Sequence, residues 1–157
     1  MDDLNYRNVV WAAVGAAMAL GLALWMVVDD RSLLLLPSLG GSTVFLFALT
    51  DAEAAQPRAL FGGHLGGALI GILCFQFFGD ALWVSVAAVV LTMVFMIVTR
   101  TIHPPAGANP LFMVHHHANF LALLKPVGLG VLALLIVAIA WSRIRPGKHY
   151  PREWFRR

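Results

Sequence analysis

The sequence predicts an all-α polytopic membrane protein: four regular transmembrane helices plus two segments, 33–50 and 101–118, broken by proline and glycine. Three observations carry this. Hydrophobic residues make up 60% of the 157 residues, charged residues 12%, and the mean hydropathy is +0.80; a soluble domain of this length has too little interior to bury so much apolar surface. Apolar runs of about twenty residues recur, the length at which a helix crosses a hydrocarbon core. Two other apolar stretches carry prolines and glycines that a straight span does not accommodate.

Residues 1–8 are short and polar, and 9–28 are uninterrupted and apolar. That run is too long for a signal-peptide core and lacks a basic flank followed by a cleavage site, so it reads as a retained span. Asp29-Asp30-Arg31-Ser32 closes it at an aqueous interface. In 33–50, Pro37 and the pair Gly40-Gly41 interrupt the run, which suits a broken helix or a re-entrant hairpin. A polar loop, 51–58, precedes the third apolar run, 59–78, where Gly62, Gly63, Gly66, Gly67 and Gly71 recur at helical spacing. Such small residues permit close helix approach, within the chain or in a homo-oligomer. Gly79-Asp80-Ala81 is a turn, 82–99 a span rich in valine and methionine, and 120–141 the last span, interrupted early by Lys125-Pro126. The single cysteine, Cys74, lies inside a run, so no intrachain disulfide forms. The chain is read as a single transmembrane domain, 1–157, with a basic tail, 142–157. Six basic residues follow Trp141 and more than account for the net charge of +3. With Trp141, Tyr150 and Trp154 beside them, they read as a cytoplasmic interfacial anchor and not as a nucleic-acid site.

Function points to Arg100-Thr101-Ile102-His103-Pro104-Pro105-Ala106-Gly107-Ala108-Asn109-Pro110. No regular helix runs through two consecutive prolines, and backbone groups freed at membrane depth must be buried in protein or face water. His103-Pro104-Pro105 with Ala106-Gly107-Ala108 resembles the signature of the HPP family of small integral membrane proteins. Gly40-Gly41-Ser42, and Ala55-Gln56-Pro57-Arg58 leading into Gly62-Gly63-His64, match in the same order over residues 33–112. The resemblance implies a multi-pass membrane protein and, for plastid and cyanobacterial members, nitrite transport.

An internal repeat accompanies the motif. At an offset of 67 residues, Pro37, Gly40 and Phe45 fall on Pro104, Gly107 and Phe112, Arg58 on Lys125, and Gly63 on Gly130. The halves, 9–78 and 82–141, each read as span, broken segment, basic residue, span. If the broken segments dip in and return, the chain crosses four times; if they cross, six. The six-pass arrangement puts Arg7, Arg58, Arg100 and the tail on one side, leaves Arg31 and Lys125 opposite, and makes the repeats inverted. The positive-inside rule prefers it, with the C-terminus on the cytoplasmic side of the cell (inner) membrane. Paired interrupted segments in two halves mark the binding site of many transporters.

The residue types there suit a small anion. A helix restarting after a break offers N–H groups and a positive dipole end. Gly40, Gly41, Gly107 and Ala108 let a ligand approach the backbone, Ser38, Ser42 and Asn109 add neutral donors, and Arg58 and Lys125 add charge. Arg100 either joins them or marks a span end. His103 either caps bent backbone or handles a proton. His64, among glycines, reads first as a packed side chain donating to a carbonyl and second as an accessory group. No carboxylate lies within a predicted span, which disfavours a cation carrier. His115-His116-His117 reads as an interfacial polar patch, since consecutive helical side chains do not converge on one metal ion and no carboxylate is near in sequence. No metal or cofactor is expected. A membrane enzyme would have to draw on Ser38, Ser42, His64 and His103 with no acid to orient either histidine, so an enzyme is not expected. The expected function is transport of a small inorganic anion, nitrite by resemblance, by a homo-oligomer; the alternative is a regulatory or scaffold subunit.

Overall fold

Every regular element in the computed structural model is helical among the residues it describes, 6–27, 36–144 and 149–154. The predicted interface loop with Arg31, the start of segment 33–50, and parts of the N-terminus and tail lie outside those residues. Four helices are long and apolar enough to cross a membrane: α1 (Tyr6–Val27), α3 (Pro57–Phe78), α4 (Leu82–Thr99) and the stretch Leu123–Ile144, whose regular part is α6 (Leu129–Ile144). Between them lie two short helices, α2 (Leu36–Thr43), continued by a π-helical turn over Val44–Ala48, and α5 (Asn109–His115), preceded by a 3-10 turn over Pro104–Ala108.

Small residues decide which helix faces meet. On α1 the buried positions are Gly15, Ala19, Ala23 and Val27, one per turn; on α4 they are Val84, Ala88, Thr92 and Met96. Each is a narrow stripe on an otherwise apolar helix whose remaining large side chains, such as Met18, Trp25, Val90 and Val98, are exposed as lipid contact requires. The α1 stripe packs on α6, where Trp11 stacks on Trp141 with centroids 4.4 Å apart and the Trp141 indole donates to the Trp11 carbonyl at 3.2 Å. The α4 stripe packs on α3, joined by the turn at Gly79, whose φ of +80° is open to glycine without strain.

The glycines of α3 are consumed inside the chain. A Cβ at Gly63 would sit 3.0 Å from His103 Cβ, at Gly67 3.1 Å from the Ala106 carbonyl oxygen, and at Gly71 2.6 Å from Pro110 Cα. They seat the signature segment and α5 along α3, so they are not available as the oligomer face the sequence suggested. The same contact appears from the other half. Gly63 abuts Ala106 and Gly130 abuts Leu39, pairs that exchange under the offset of 67. Ser38 and Pro105, also 67 apart, touch each other: the Ser38 hydroxyl donates to the Pro105 carbonyl at 3.0 Å. A two-fold relation between the halves, with an axis near Ser38 and Pro105, would produce these exchanges.

Contacts also order the ends. The starts of α1 and α3, the ends of α4 and α6, and the loop around residue 51 share one end: Trp11 meets Trp141, Arg58 donates to the Thr99 carbonyl, and Arg152 pairs with Asp51. At the other end the His117 ring lies 2.7 Å from the Asp80 carboxylate, which puts the end of α5 beside the α3–α4 turn. The short segments therefore connect the two ends as the long helices do, and the chain passes between them six times. An α5 of seven residues rises only about 10 Å; the extended stretch Thr101–His103 supplies the rest of that passage.

Two expectations need correction. Pro37, Gly40 and Gly41 do not break their helix: α2 runs through all three, because Pro37 sits in its first turn, where no intrahelical donor is missed. The irregularity comes later, at Val44–Ala48. The tail is more than an interfacial anchor. Tyr150 is buried, with its hydroxyl donating to the Ala55 carbonyl at 2.6 Å, and the Gln56 side-chain oxygen accepts from the Arg152 backbone N–H at 3.0 Å.

Candidate functional site

Where α2 meets the signature segment, five polar side chains come together. Ser38, Ser42, His64, His103 and Asn109 are each no more than 1% exposed. Serine spacing places Ser38 and Ser42 one turn apart on the face of α2 that looks at α3 and Pro105. Gly63 gives His103 room against α3, and His103 is extended (φ −134°, ψ 96°) because the residue before a proline is driven out of the helical region. Its ring meets Phe45 at 5.4 Å and His64 at 4.9 Å between centroids.

Hydrogen bonds determine the tautomers. His64 Nδ1 lies 2.9 Å from the Leu60 carbonyl and His103 Nδ1 2.6 Å from the Ala54 carbonyl. A carbonyl only accepts, so both Nδ1 atoms carry the hydrogen and both Nε2 atoms are acceptors. Ser42 Oγ lies 2.8 Å from His103 Nε2, 3.3 Å from His64 Nε2 and 2.9 Å from the Ser38 carbonyl. Ser38 Oγ lies 3.1 Å from His64 Nε2 and 3.0 Å from the Pro105 carbonyl. Two hydroxyl hydrogens thus face four acceptors. Asn109 donates its amide to the His64 carbonyl at 3.0 Å, and its own buried carbonyl oxygen has no partner. The centre is rich in acceptors and short of hydrogens.

The helix starts do not make up the shortage. The signature turn opens on Pro104-Pro105 and α2 on Leu36-Pro37, so prolines occupy positions where free N–H groups were expected. Gly41 lies in mid-helix, and its missing Cβ admits Pro105, 3.1 Å from where that carbon would be. Ala108 leads without interruption into α5. Gly40 and Gly107, equivalent under the offset, both have open space where a side chain would start and are half-buried.

The cations stand apart from this centre. Arg58, in the first turn of α3, donates to the Thr99 carbonyl at 2.8 Å, capping the end of α4. Lys125 is exposed, at the kink before α6 and at the opposite end of the bundle. Equivalent residues of oppositely directed halves go to opposite faces, so the structure does not bring Arg58 and Lys125 onto one ligand. Arg100 ends α4 in the left-handed region (φ 55°, ψ 43°), where glycine is usual, and is exposed. With Arg58, Glu53, Gln56 and Trp154 it lines a cleft of about 470 Å³ whose wall includes Ile102, the neighbour of His103. On the far side, Ser38, His64, Asn109 and Pro126 line a crevice too narrow for a water-sized sphere.

Sequence reasoning missed three features. Ala54 orients His103 through its backbone, which no side-chain pattern announces. Tyr150 docks beside that same turn. Asp80 reaches His117, so a carboxylate does lie beside the histidine run; the pairing holds the Asp80 carboxyl below its ordinary value. His64 unites both roles considered for it, donating to a carbonyl and joining the polar centre.

No solved structure matches the chain. It is similar to two curated Dictyostelium discoideum transmembrane proteins, one 30% identical over 138 residues (83% of this chain, 44% of the relative) and one 28% identical over 135 residues (81% and 47%). The chain spans about half the length of these relatives. Residues 1–151 match the transmembrane region of the HPP family. With a match over nearly its whole length and the His103-Pro104-Pro105 turn seated against a glycine-lined helix, the chain belongs to the HPP family of multi-pass membrane proteins.

Proposed function

We propose that the chain carries a small inorganic anion across the inner membrane, along the junction of its two short segments. The member of that class implied by the family resemblance is nitrite. One observation carries the reading: a cluster of hydroxyl, imidazole and amide groups is buried inside a bundle of membrane-spanning helices, where apolar side chains would pack at lower cost. The cleft that holds Arg58 and Arg100 opens on the tail side; it also holds Glu53 and Glu153, so it gives an anion a way in without raising its local concentration. Those arginines then serve the entrance and not the centre, and Lys125 is the corresponding charge at the other end.

The test is uptake by purified protein in liposomes, with nitrite, nitrate, formate and chloride compared against protein-free vesicles. Saturable nitrite uptake that drops at least about tenfold in Ser42→Ala, the equivalent of one lost buried hydrogen bond of about 1.4 kcal/mol, is the expected result. Folded protein that moves none of the four anions would refute the reading and leave a regulatory or scaffold role.

A further inference from the structure

We propose that Ser42, His64 and His103 form a proton-binding site in which the two imidazoles share one proton through the Ser42 hydroxyl, and that the anion binds only once that proton is present. The site stands on its own geometry; its coupling to an anion rests on the transport reading above.

The argument is a count of hydrogens. Both imidazoles hold their Nδ1 hydrogen on backbone carbonyls, which leaves two Nε2 acceptors 2.8 and 3.3 Å from one hydroxyl. Ser42 has a single hydrogen and also lies 2.9 Å from the Ser38 carbonyl. One added proton removes the conflict. On His103 Nε2 it donates to Ser42 Oγ, and the Ser42 hydrogen is then directed to His64 Nε2. If Ser42 Oγ takes the proton from His103 while releasing its own hydrogen to His64 Nε2, the charge moves from one ring to the other and no atom is gained or lost. A second proton would put two cations 4.9 Å apart in a buried setting, so the pair holds one.

The surroundings leave the histidines as the groups that titrate. His103 faces Ala54 from the 53–55 turn, Ser42 and Phe45 from α2, and Gly63 and His64 from α3. His64 faces Ser38 and Ser42 from α2, while its own backbone carbonyl accepts from Asn109. Among the described residues, no carboxylate is hydrogen-bonded to either ring. The nearest charges along their segments are Arg58, engaged with Thr99, and Arg100, exposed in the cleft.

The consequence for an anion follows. The neutral centre has two hydroxyl donors already engaged, helix starts occupied by prolines, and no cation. Beyond the second amide hydrogen of Asn109, it offers an anion no free donor and no charge. The shared proton supplies both an N–H donor and the positive charge, so proton binding precedes anion binding and the pair crosses without net charge. An anion is then expected to enter near Gly40 and Gly107, where space is open.

Two measurements test this. With ¹⁵N-labelled histidine in nanodiscs and no substrate, His64 and His103 are expected to titrate as a coupled pair that takes up one proton. Ser42→Ala, or Ser42→Cys if alanine disturbs the fold, is expected to separate them and move at least one midpoint by about one pH unit, the scale on which interacting sites behave as a pair. Independent titration in the wild type, or wild-type titration in both variants, overturns the site. In liposomes carrying a lumenal pH dye, nitrite uptake above the protein-free rate should deliver one proton per anion and ignore a potassium–valinomycin potential. Uptake that follows the potential and leaves lumenal pH unchanged overturns the coupling. Absence of all uptake overturns the transport reading, and the titration still decides the proton site.

Discussion

Gly71→Ala against Gly40→Ala tests the packing that places the centre. At Gly71 the added carbon would lie 2.6 Å from Pro110 Cα, 2.8 Å from Met113 Cβ and 2.9 Å from the Pro110 carbonyl oxygen. Two of these are backbone atoms and the third is the first atom of a side chain, so no rotamer change relieves the clash; α5 must move away from α3. Overpacking of this kind costs about 1–3 kcal/mol. At Gly40 nothing lies within 4 Å, so alanine brings only the helix-propensity gain of about 0.5–1 kcal/mol, which Gly71→Ala shares. The variants therefore differ by the overpacking alone. At roughly 2–4 °C per kcal/mol for a chain of this size, their thermal midpoints separate by roughly 2–12 °C, Gly71→Ala being lower. Tryptophan fluorescence or circular dichroism in detergent reads the difference. Because Pro110 follows Asn109, the displaced α5 should also lengthen the Asn109–His64 carbonyl bond, now 3.0 Å, and lower anion uptake. Equal midpoints for the two variants would refute the close approach of α5 to α3.

Tyr150→Phe removes the donor to the Ala55 carbonyl and is expected to cost about 1–3 kcal/mol as a buried acceptor loses its partner, read as faster tryptic cleavage at Arg152 in the tail. Arg100→Gly relieves a left-handed non-glycine residue and should raise the thermal midpoint, by about 1 kcal/mol of stability, whereas Arg100→Ala should not. Asp80 titrates below its ordinary value because His117 donates to it. That pairing is complete above the ordinary carboxylate pKa and is lost as pH falls through the lowered one. His117→Ala should therefore move the Asp80 carboxyl midpoint upward in ¹³C NMR, and raised salt should shrink the difference.

From the sequence alone, the membrane class, the long spans and the segment where polar side chains gather were legible. Runs of about twenty apolar residues have one use in water, and a His-Pro-Pro turn within them forces the backbone out of a helix whatever surrounds it. Ser38, Ser42, His103 and Asn109 were legible for the same local reason, as polar side chains beside such an interruption. The behaviour of Pro37 was less legible, because a proline ends a helix or begins one according to where the helix starts, and packing decides that. The six-pass reading already set Arg58 and Lys125 on opposite sides; the tertiary structure showed in addition that Arg58 is engaged with the Thr99 carbonyl, away from the polar centre. It alone joined His64 to His103 and placed the carbonyls of Leu60 and Ala54 on their Nδ1 atoms. Hydrogen-bond balance belongs to atoms brought together from four segments of the chain, so no local pattern in the sequence could register that the centre is short of a proton.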